Sequence, residues 1–135
     1  AAMLGREYEM DGIVAKGEKV GRQIGYPTIN LAPENELYPA DGVYVTRIAI
    51  PSFEKTFDSV TNVGTRPTVY EDSVRTIETY VLDFSADVYG EKVRLFFHER
   101  LREERKFPSR DVLIEEIGRD VEAARAYFQG RRTVS

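Results

Sequence analysis

Short runs rich in β-branched and aromatic residues, separated by glycine and proline, predict a chain built mainly of β-strands. The densest run covers residues 43–50. Residues 17–30 are rich in turn residues and are predicted as a loop, and residues 30–40 are predicted as a second irregular segment because they contain two prolines. Four further runs predict strands at Asp11–Lys16, Phe57–Val63, Val74–Phe84 and Lys92–Phe97.

The period of the apolar positions changes near the C-terminus, where spacings of three and four place them on one face of a helix. Ser109 fits an N-cap and Gly130 is a stop signal, so the predicted helix covers residues 109–129. Strands followed by one helix favour an antiparallel sheet or barrel over a doubly wound parallel sheet. The apolar positions are Leu113, Ile114, Ile117, Val121, Ala124 and Phe128.

The length of 135 residues fits one domain, with residues 1–7 predicted as a linker or a cloning remnant. The absence of cysteine and the single histidine, His98, exclude disulfides, thiolate zinc sites, a cysteine nucleophile and a His-rich metal site. A net charge of −4, from 19 basic and 23 acidic residues, argues against a general nucleic-acid binder. Because no apolar run approaches about 18 residues and no leader is evident, we expect a soluble, cytoplasmic protein without membrane contact.

The predicted loop contains glycines at intervals of four residues, Gly17, Gly21 and Gly25. Such a loop can approach a ligand closely and present backbone N–H groups to phosphate oxygens, and Arg22 would add positive charge. It is not a Walker A loop, because the required Lys–Ser/Thr pair does not follow. The spacing by itself favours an ordinary surface loop, so phosphate binding stays an open alternative.

Thr28 and Asn30 lie two positions apart directly after a proline. In an extended segment their side chains point the same way, so a hydroxyl and an amide oxygen would converge. Both are hard oxygen donors suited to magnesium, which usually keeps waters and substrate phosphates as its other ligands. The alternative is turn chemistry, with both side chains bonded to local backbone.

Glu78 falls on the same face of its predicted strand as Tyr80, Leu82 and Phe84. If that face is the inner one, burial would favour proton uptake by the carboxylate, as a general base requires. The alternative is a strand end at which Glu78 reaches solvent or pairs with Arg75.

Basic residues flank an aromatic one between residues 100 and 109, just before the predicted helix. Such a segment can hold an anionic or flat aromatic ligand by hydrogen bonding and stacking. Mixed charges before a helix are also typical of a solvated face, which is the alternative.

A series of short motifs runs along the chain in a fixed order. They are Gly12–Val14 with Gly17, Gly25–Leu31, Gly42–Tyr44, Asn62–Thr68, Glu78–Thr79 with Asp83–Phe84, Tyr89–Glu91, Leu101–Arg102 with Lys106–Phe107, and the terminal helix. Together, these segments resemble the riboflavin kinase (flavokinase) family in their order, from about residue 4 to residue 128. In bacterial bifunctional proteins of this kind an FMN adenylyltransferase domain precedes the kinase module, and residues 4–8 resemble the entry to that module. The chain is then either the module of such a protein or a stand-alone kinase.

The resemblance implies a mainly β fold, a six-stranded antiparallel Greek-key barrel with a C-terminal α-helix. It implies transfer of the ATP γ-phosphate to the ribityl 5′-hydroxyl of riboflavin, giving FMN and ADP. A non-catalytic barrel that binds flavin or nucleotide is the alternative.

The resemblance also implies a role for each matched residue. Glu78 is the implied catalytic base, and Thr28 and Asn30 are the implied Mg²⁺ ligands. The implied ATP-binding residues are Gly17, Arg22, Thr28, Val81, Asp83 and Tyr89, and the implied flavin-binding residues are Arg102, Arg105, Phe107 and Val112.

Overall fold

The computed structural model describes residues 8–15, 28–33, 39–67, 73–84, 87–104 and 107–134. Within them the chain forms six strands, a single 3₁₀ turn and one long helix. The strands are β1 (Tyr8–Ala15), β2 (Ile29–Pro33), β3 (Gly42–Ile50), β4 (Lys55–Pro67), β5 (Ser73–Val81) and β6 (Lys92–Arg102). The turn is Pro51–Phe53, and the helix, α1, is Arg110–Val134.

The strands close into a barrel in the order β1-β2-β5-β4-β3-β6, and every neighbouring pair is antiparallel. The predicted antiparallel barrel with a C-terminal helix is therefore confirmed. Closure leaves no free sheet edge, so a small chain can bury its backbone hydrogen bonds without a second sheet.

The barrel interior holds the larger of two apolar clusters. Side chains alternate along each strand, so every second residue of a strand enters it. Its buried members are Met10, Val14, Leu31, Tyr44, Ile48, Ile50, Val63, Ile77, Val81, Val88, Val93, Leu95 and Phe97.

A second apolar cluster lies outside the barrel, where α1 packs against β3, β4 and the end of β5. The helix contributes Val121, Ala124 and Phe128, the strands contribute Val43, Val45 and Val60, and the turn after β5 contributes Leu82. Residues 42–46 of β3 are consequently buried on both faces. The alternation of apolar and polar residues that marks a half-exposed strand is therefore lost there.

Four hydroxyl groups form a chain inside the barrel. Thr46 Oγ1 lies 2.7 Å from Ser59 Oγ and 2.8 Å from Thr61 Oγ1, which lies 2.9 Å from Thr79 Oγ1. All four residues are fully buried. Because each hydroxyl both donates and accepts, the chain is satisfied internally at little cost.

Several predicted boundaries are corrected by the structure. Residues 29–33, predicted as irregular, form β2, and β4 runs on through Gly64 to Pro67 instead of ending at Val63. Proline is tolerated as the last residue of β2 and β4 because little of the hydrogen-bond ladder remains to be made there. β5 ends at Val81, before Asp83 adopts a positive φ of 56°, which breaks the extended conformation. β6 extends five residues beyond the predicted end, to Arg102.

The helix also exceeds its predicted end, since α1 continues past Gly130 to Val134. A lone glycine costs a helix only about 1 kcal/mol relative to alanine, so it need not end one. The predicted N-cap is confirmed: the Val112 backbone N–H donates to Ser109 Oγ at 3.3 Å.

Candidate active site

Glu78 lies at the centre of a row of polar residues on three neighbouring strands. In the register, Glu78 of β5 stands opposite Asn30 of β2 on one side and opposite Asn62 of β4 on the other. Directly opposed residues point to the same face of a sheet, with Cβ atoms about 4.5–5.5 Å apart. Thr28 joins this group by donating a hydrogen bond from Oγ1 to Glu78 Oε1, at 3.4 Å. The two residues predicted to hold magnesium and the predicted base therefore converge.

The face that carries Glu78 is the outer one. Ile77, Thr79 and Val81 point into the barrel, whereas Tyr80 and Leu82, which share the face of Glu78, pack toward α1. The premise that Glu78 faces inward is therefore wrong. It fails because the outer face of β5 is apolar as well, where the helix covers it, and apolar partners do not distinguish the two faces.

Glu78 is only half-buried, and its Oε1 accepts a hydrogen bond from the Thr28 hydroxyl. A threonine hydroxyl has one proton and two lone pairs, so Thr28 can donate to Glu78 and still offer an oxygen to a cation. Together with the Asn30 amide oxygen it makes a pair of hard oxygen donors beside Glu78, which fits magnesium.

Glu104 approaches the same row from the segment that follows β6. The Asn62 amide donates from Nδ2 to Glu104 Oε2 at 3.4 Å. A Cβ on Gly64 would overlap the Glu104 carboxylate, so the absence of a side chain at this position leaves room for it. A second carboxylate therefore lies on the face that carries Glu78.

Arg102 has its polar atoms bound within the protein. Its Nε donates to Asp120 Oδ1 at 3.0 Å and its Nη2 to Asp120 Oδ2 at 2.8 Å, which forms a bidentate pair between β6 and α1. Its Nη1 donates to the Glu103 carbonyl at 3.1 Å. The guanidinium lies over the Phe107 ring, with Cζ 5.4 Å from the ring centroid. Arg102 thus links β6 to α1 and lies against the Phe107 ring.

Val112, the third predicted flavin residue that the structure describes, lies in the first turn of α1 and is half-buried. Phe107 and Val112 flank the N-cap Ser109, so both side chains occur where the chain passes from β6 to the helix. Their roles in flavin binding remain predictions.

Asp83, predicted to lie near the nucleotide, forms a bidentate ion pair with Arg125 of α1. Arg125 Nη1 and Nη2 lie 3.0 and 3.1 Å from the two Asp83 oxygens. The hydrogen bonds from Arg125 lower the pKa of the Asp83 carboxyl. This ion pair connects α1 to the turn that follows β5.

Asp83→Asn is expected to weaken the interaction with Arg125 only at pH values at which the Asp83 carboxylate is ionised. Because the folded-state pKa of Asp83 is lowered, the contribution is present above the unfolded pKa of about 3.9 and is lost as the pH falls through the folded value. Asparagine tolerates positive φ, so the turn is kept. The difference in free energy of unfolding between wild type and variant, measured with urea, should therefore close as the solution is acidified below pH about 4. A difference that does not change with pH would contradict this, and Asp87→Asn is the control.

Val81 and Tyr89, the other implied ATP-binding residues that follow Glu78 along the chain, do not belong to the Glu78 row. The Val81 side chain is buried in the barrel, so any contact with a nucleotide would use its backbone. Tyr89 is exposed in a turn in which the Gly90 N–H donates to the Val14 carbonyl at 2.8 Å. It therefore lies beside the end of β1.

Gly17, Arg22 and Arg105 lie outside the described residues, so their predicted roles remain predictions. The sequence pattern indicates no role for Asn62, Glu104, Asp120 or Arg125. Asn62 belongs to a motif that carried the resemblance, but its position opposite Glu78 depends on strand register, which no local pattern reveals.

Comparison with known proteins identifies the family. A family model described as "Flavokinase: Riboflavin kinase" matches residues 4–128. The chain belongs to the riboflavin kinase family. Among curated relatives, the bifunctional riboflavin kinase/FMN adenylyltransferase of Haemophilus influenzae is 40% identical over 126 residues. That match covers 93% of this chain but 40% of the relative, so the chain spans less than half the length of that relative.

Two solved structures share the fold. A riboflavin kinase from Trypanosoma brucei aligns with a TM-score of 0.64 at 23% identity, over 92% of this chain and 81% of that one. A Streptococcus pneumoniae chain described as a macrolide-efflux protein aligns with a TM-score of 0.81 at 35% identity, over 92% of this chain and 40% of that one. Both similarities support the barrel and its helix as the architecture of this riboflavin kinase family member. In the described part of the chain, none of the helical structure is long and apolar enough to cross a bilayer.

Proposed function

We propose that this chain is an ATP:riboflavin 5′-phosphotransferase, which transfers the ATP γ-phosphate to the ribityl 5′-hydroxyl of riboflavin to give FMN and ADP. The observation that carries the proposal is the convergence of Thr28, Asn30 and Glu78 on the outer barrel face, in a chain of the riboflavin kinase family.

Phosphoryl transfer depends mainly on positioning and on charge neutralisation, and the arrangement supports both. Glu78 accepts the proton of the 5′-hydroxyl as the oxygen forms its bond to the γ-phosphorus, and the bond to the β–γ bridging oxygen breaks to release ADP. Thr28 fixes the Glu78 carboxylate by its hydrogen bond. Phe107, against which Arg102 lies, offers an aromatic face for the flavin ring.

Thr28 and Asn30 would hold Mg²⁺, because their oxygens fit its preference and lie beside Glu78. When bound, the ion would neutralise charge on the nucleotide phosphates. An adenylyltransferase domain preceding the kinase, as the names of the relatives indicate for those proteins, belongs to the proposal for the whole protein, as does its cytoplasmic location.

The test is to incubate the chain with riboflavin, ATP and Mg²⁺ and to separate the flavins by chromatography. We expect FMN and ADP in equal amounts, with no FMN when ATP is omitted. Flavin or nucleotide binding without FMN formation would overturn the proposal in favour of a binding module.

Thr28→Ala is expected to weaken MgATP binding by about tenfold or more, because it removes one oxygen ligand and the hydrogen bond that holds Glu78. Riboflavin binding should change less. Calorimetric titration with each ligand measures both effects. Thr65→Ala is the matched control, since Thr65 donates to Asp41 Oδ2 instead. Equal losses for the two ligands would count against the magnesium assignment.

A further inference from the structure

Asn62 presents a hydrogen-bond acceptor beside the proposed base. It stands opposite Glu78 in the register between β4 and β5, on the same face. Its Nδ2 is directed to Glu104, which fixes the orientation of the amide. Its Oδ1 is buried, and no hydrogen-bond partner for it occurs among the residues that the structure describes. Buried carbonyl oxygens normally accept a hydrogen bond, so we expect a bound ligand to donate one to Asn62 Oδ1.

Glu104 supplies further acceptors next to this atom. Its carboxylate lies over Gly64, two residues from Asn62 on the same face of β4. Since Glu104 is exposed, its side chain can adjust as a ligand enters. Asn62 and Glu104 together offer amide and carboxylate oxygens within one or two residue spacings of Glu78, which is about 5–8 Å.

On the β4 side of Glu78, Asn62 and Glu104 suit a chain of neighbouring hydroxyl groups and disfavour an anion. The β2 side, which carries Thr28 and Asn30, adds no charge beside Glu78. Hydroxyls donate to amide and carboxylate oxygens, and each can also accept. A phosphate bound beside Asn62 would lie between two carboxylates, Glu78 and Glu104, and like charges repel. The ligand indicated by these residues is an uncharged polyol.

We propose that Asn62 and Glu104 bind the hydroxyl groups of the substrate polyol, the ribityl chain of riboflavin, and so hold its terminal hydroxyl at Glu78. The inference rests on the proposed function, because that function supplies the polyol. Asn62 and Glu104 are then substrate-binding residues, while the ring binds elsewhere, near Phe107.

The experiment compares riboflavin with lumiflavin, which has the same ring system and no polyol. Binding is measured by flavin fluorescence without ATP, so it does not depend on turnover. Wild type should bind riboflavin more tightly than lumiflavin. Asn62→Ala and Glu104→Ala should each weaken riboflavin binding by about tenfold and leave lumiflavin binding unchanged. Glu103→Ala is the control, because its side chain is a neighbouring exposed carboxylate.

Gly64→Ala provides a second variant that changes neither proposed ligand. Its added methyl group would displace the Glu104 carboxylate, which is the end of a flexible side chain, so the strand should keep its fold. It should reproduce the effect of Glu104→Ala: a higher KM for riboflavin with little change in the KM for ATP.

The outcomes separate this inference from the proposed function. If wild type forms FMN but the Asn62 and Glu104 variants lose riboflavin and lumiflavin binding equally, or lose neither, the polyol site is wrong and the kinase stands. If wild type forms no FMN yet the variants lose riboflavin selectively, the polyol site stands and the kinase does not. Binding of lumiflavin as tight as that of riboflavin in wild type also overturns the polyol site.

Discussion

Glu78→Gln is expected to lower kcat for FMN formation by about 10²–10⁴-fold, the usual contribution of a general base. Glutamine has nearly the same size as glutamate, and its amide oxygen can still accept the hydrogen bond from the Thr28 hydroxyl, so the local geometry is kept. It cannot take a proton from the attacking hydroxyl. Riboflavin binding, measured by flavin fluorescence, should therefore remain while turnover is lost.

Glu99→Gln is the matched control, because Glu99 is an exposed glutamate on β6 outside the row. Its turnover should equal that of wild type. Near-normal turnover of Glu78→Gln would remove Glu78 from the role of base. A loss of riboflavin binding equal to the loss of kcat would instead assign Glu78 to substrate binding.

The residue types of the site could be predicted from the sequence, but the face of the barrel could not. Thr28, Asn30 and Glu78 were chosen for their donor chemistry, and they converge. The alternation rule assumes one buried face for each strand. Here β5 is buried inside the barrel through Ile77 and packs toward the helix through Tyr80, so the apolar pattern could not tell which face carried Glu78.

The ion-pair partners of Arg102 and Asp83 also could not be predicted from the sequence, for a different reason. The family resemblance implies that Arg102 and Asp83 bind ligands. Their partners, Asp120 and Arg125, are 18 and 42 positions away along the chain. Only the docking of α1 brings these charges together, and docking depends on the packing of the outer cluster as a whole. The sequence shows which charges exist, and the fold decides which are satisfied internally.

Asp120→Ala is expected to lower the free energy of unfolding by about 2–3 kcal/mol. Removing one partner of a buried ion pair typically costs about 3–5 kcal/mol, because the other charge is left without compensation. The loss should be smaller here, because 19% of the Arg102 side chain is exposed and Glu116 Oε2 lies 3.9 Å from its Nε. Urea denaturation measures the change. Glu115→Ala is the control on the same helix, where the exposed pair with Arg119 should contribute less than about 1 kcal/mol.

A double variant, Arg102→Met with Asp120→Leu, separates the stability of the helix from flavin binding. Replacing a buried ion pair by apolar residues of similar volume is often neutral or stabilising, so most of the lost free energy of unfolding should return. Methionine does not carry the charge that Arg102 places over Phe107, nor its hydrogen bond to the Glu103 carbonyl. Riboflavin affinity should therefore be lower than in wild type while stability recovers. If the double variant binds riboflavin as tightly as wild type, the pair only anchors the helix, and Phe107 does not require Arg102 to contact the flavin.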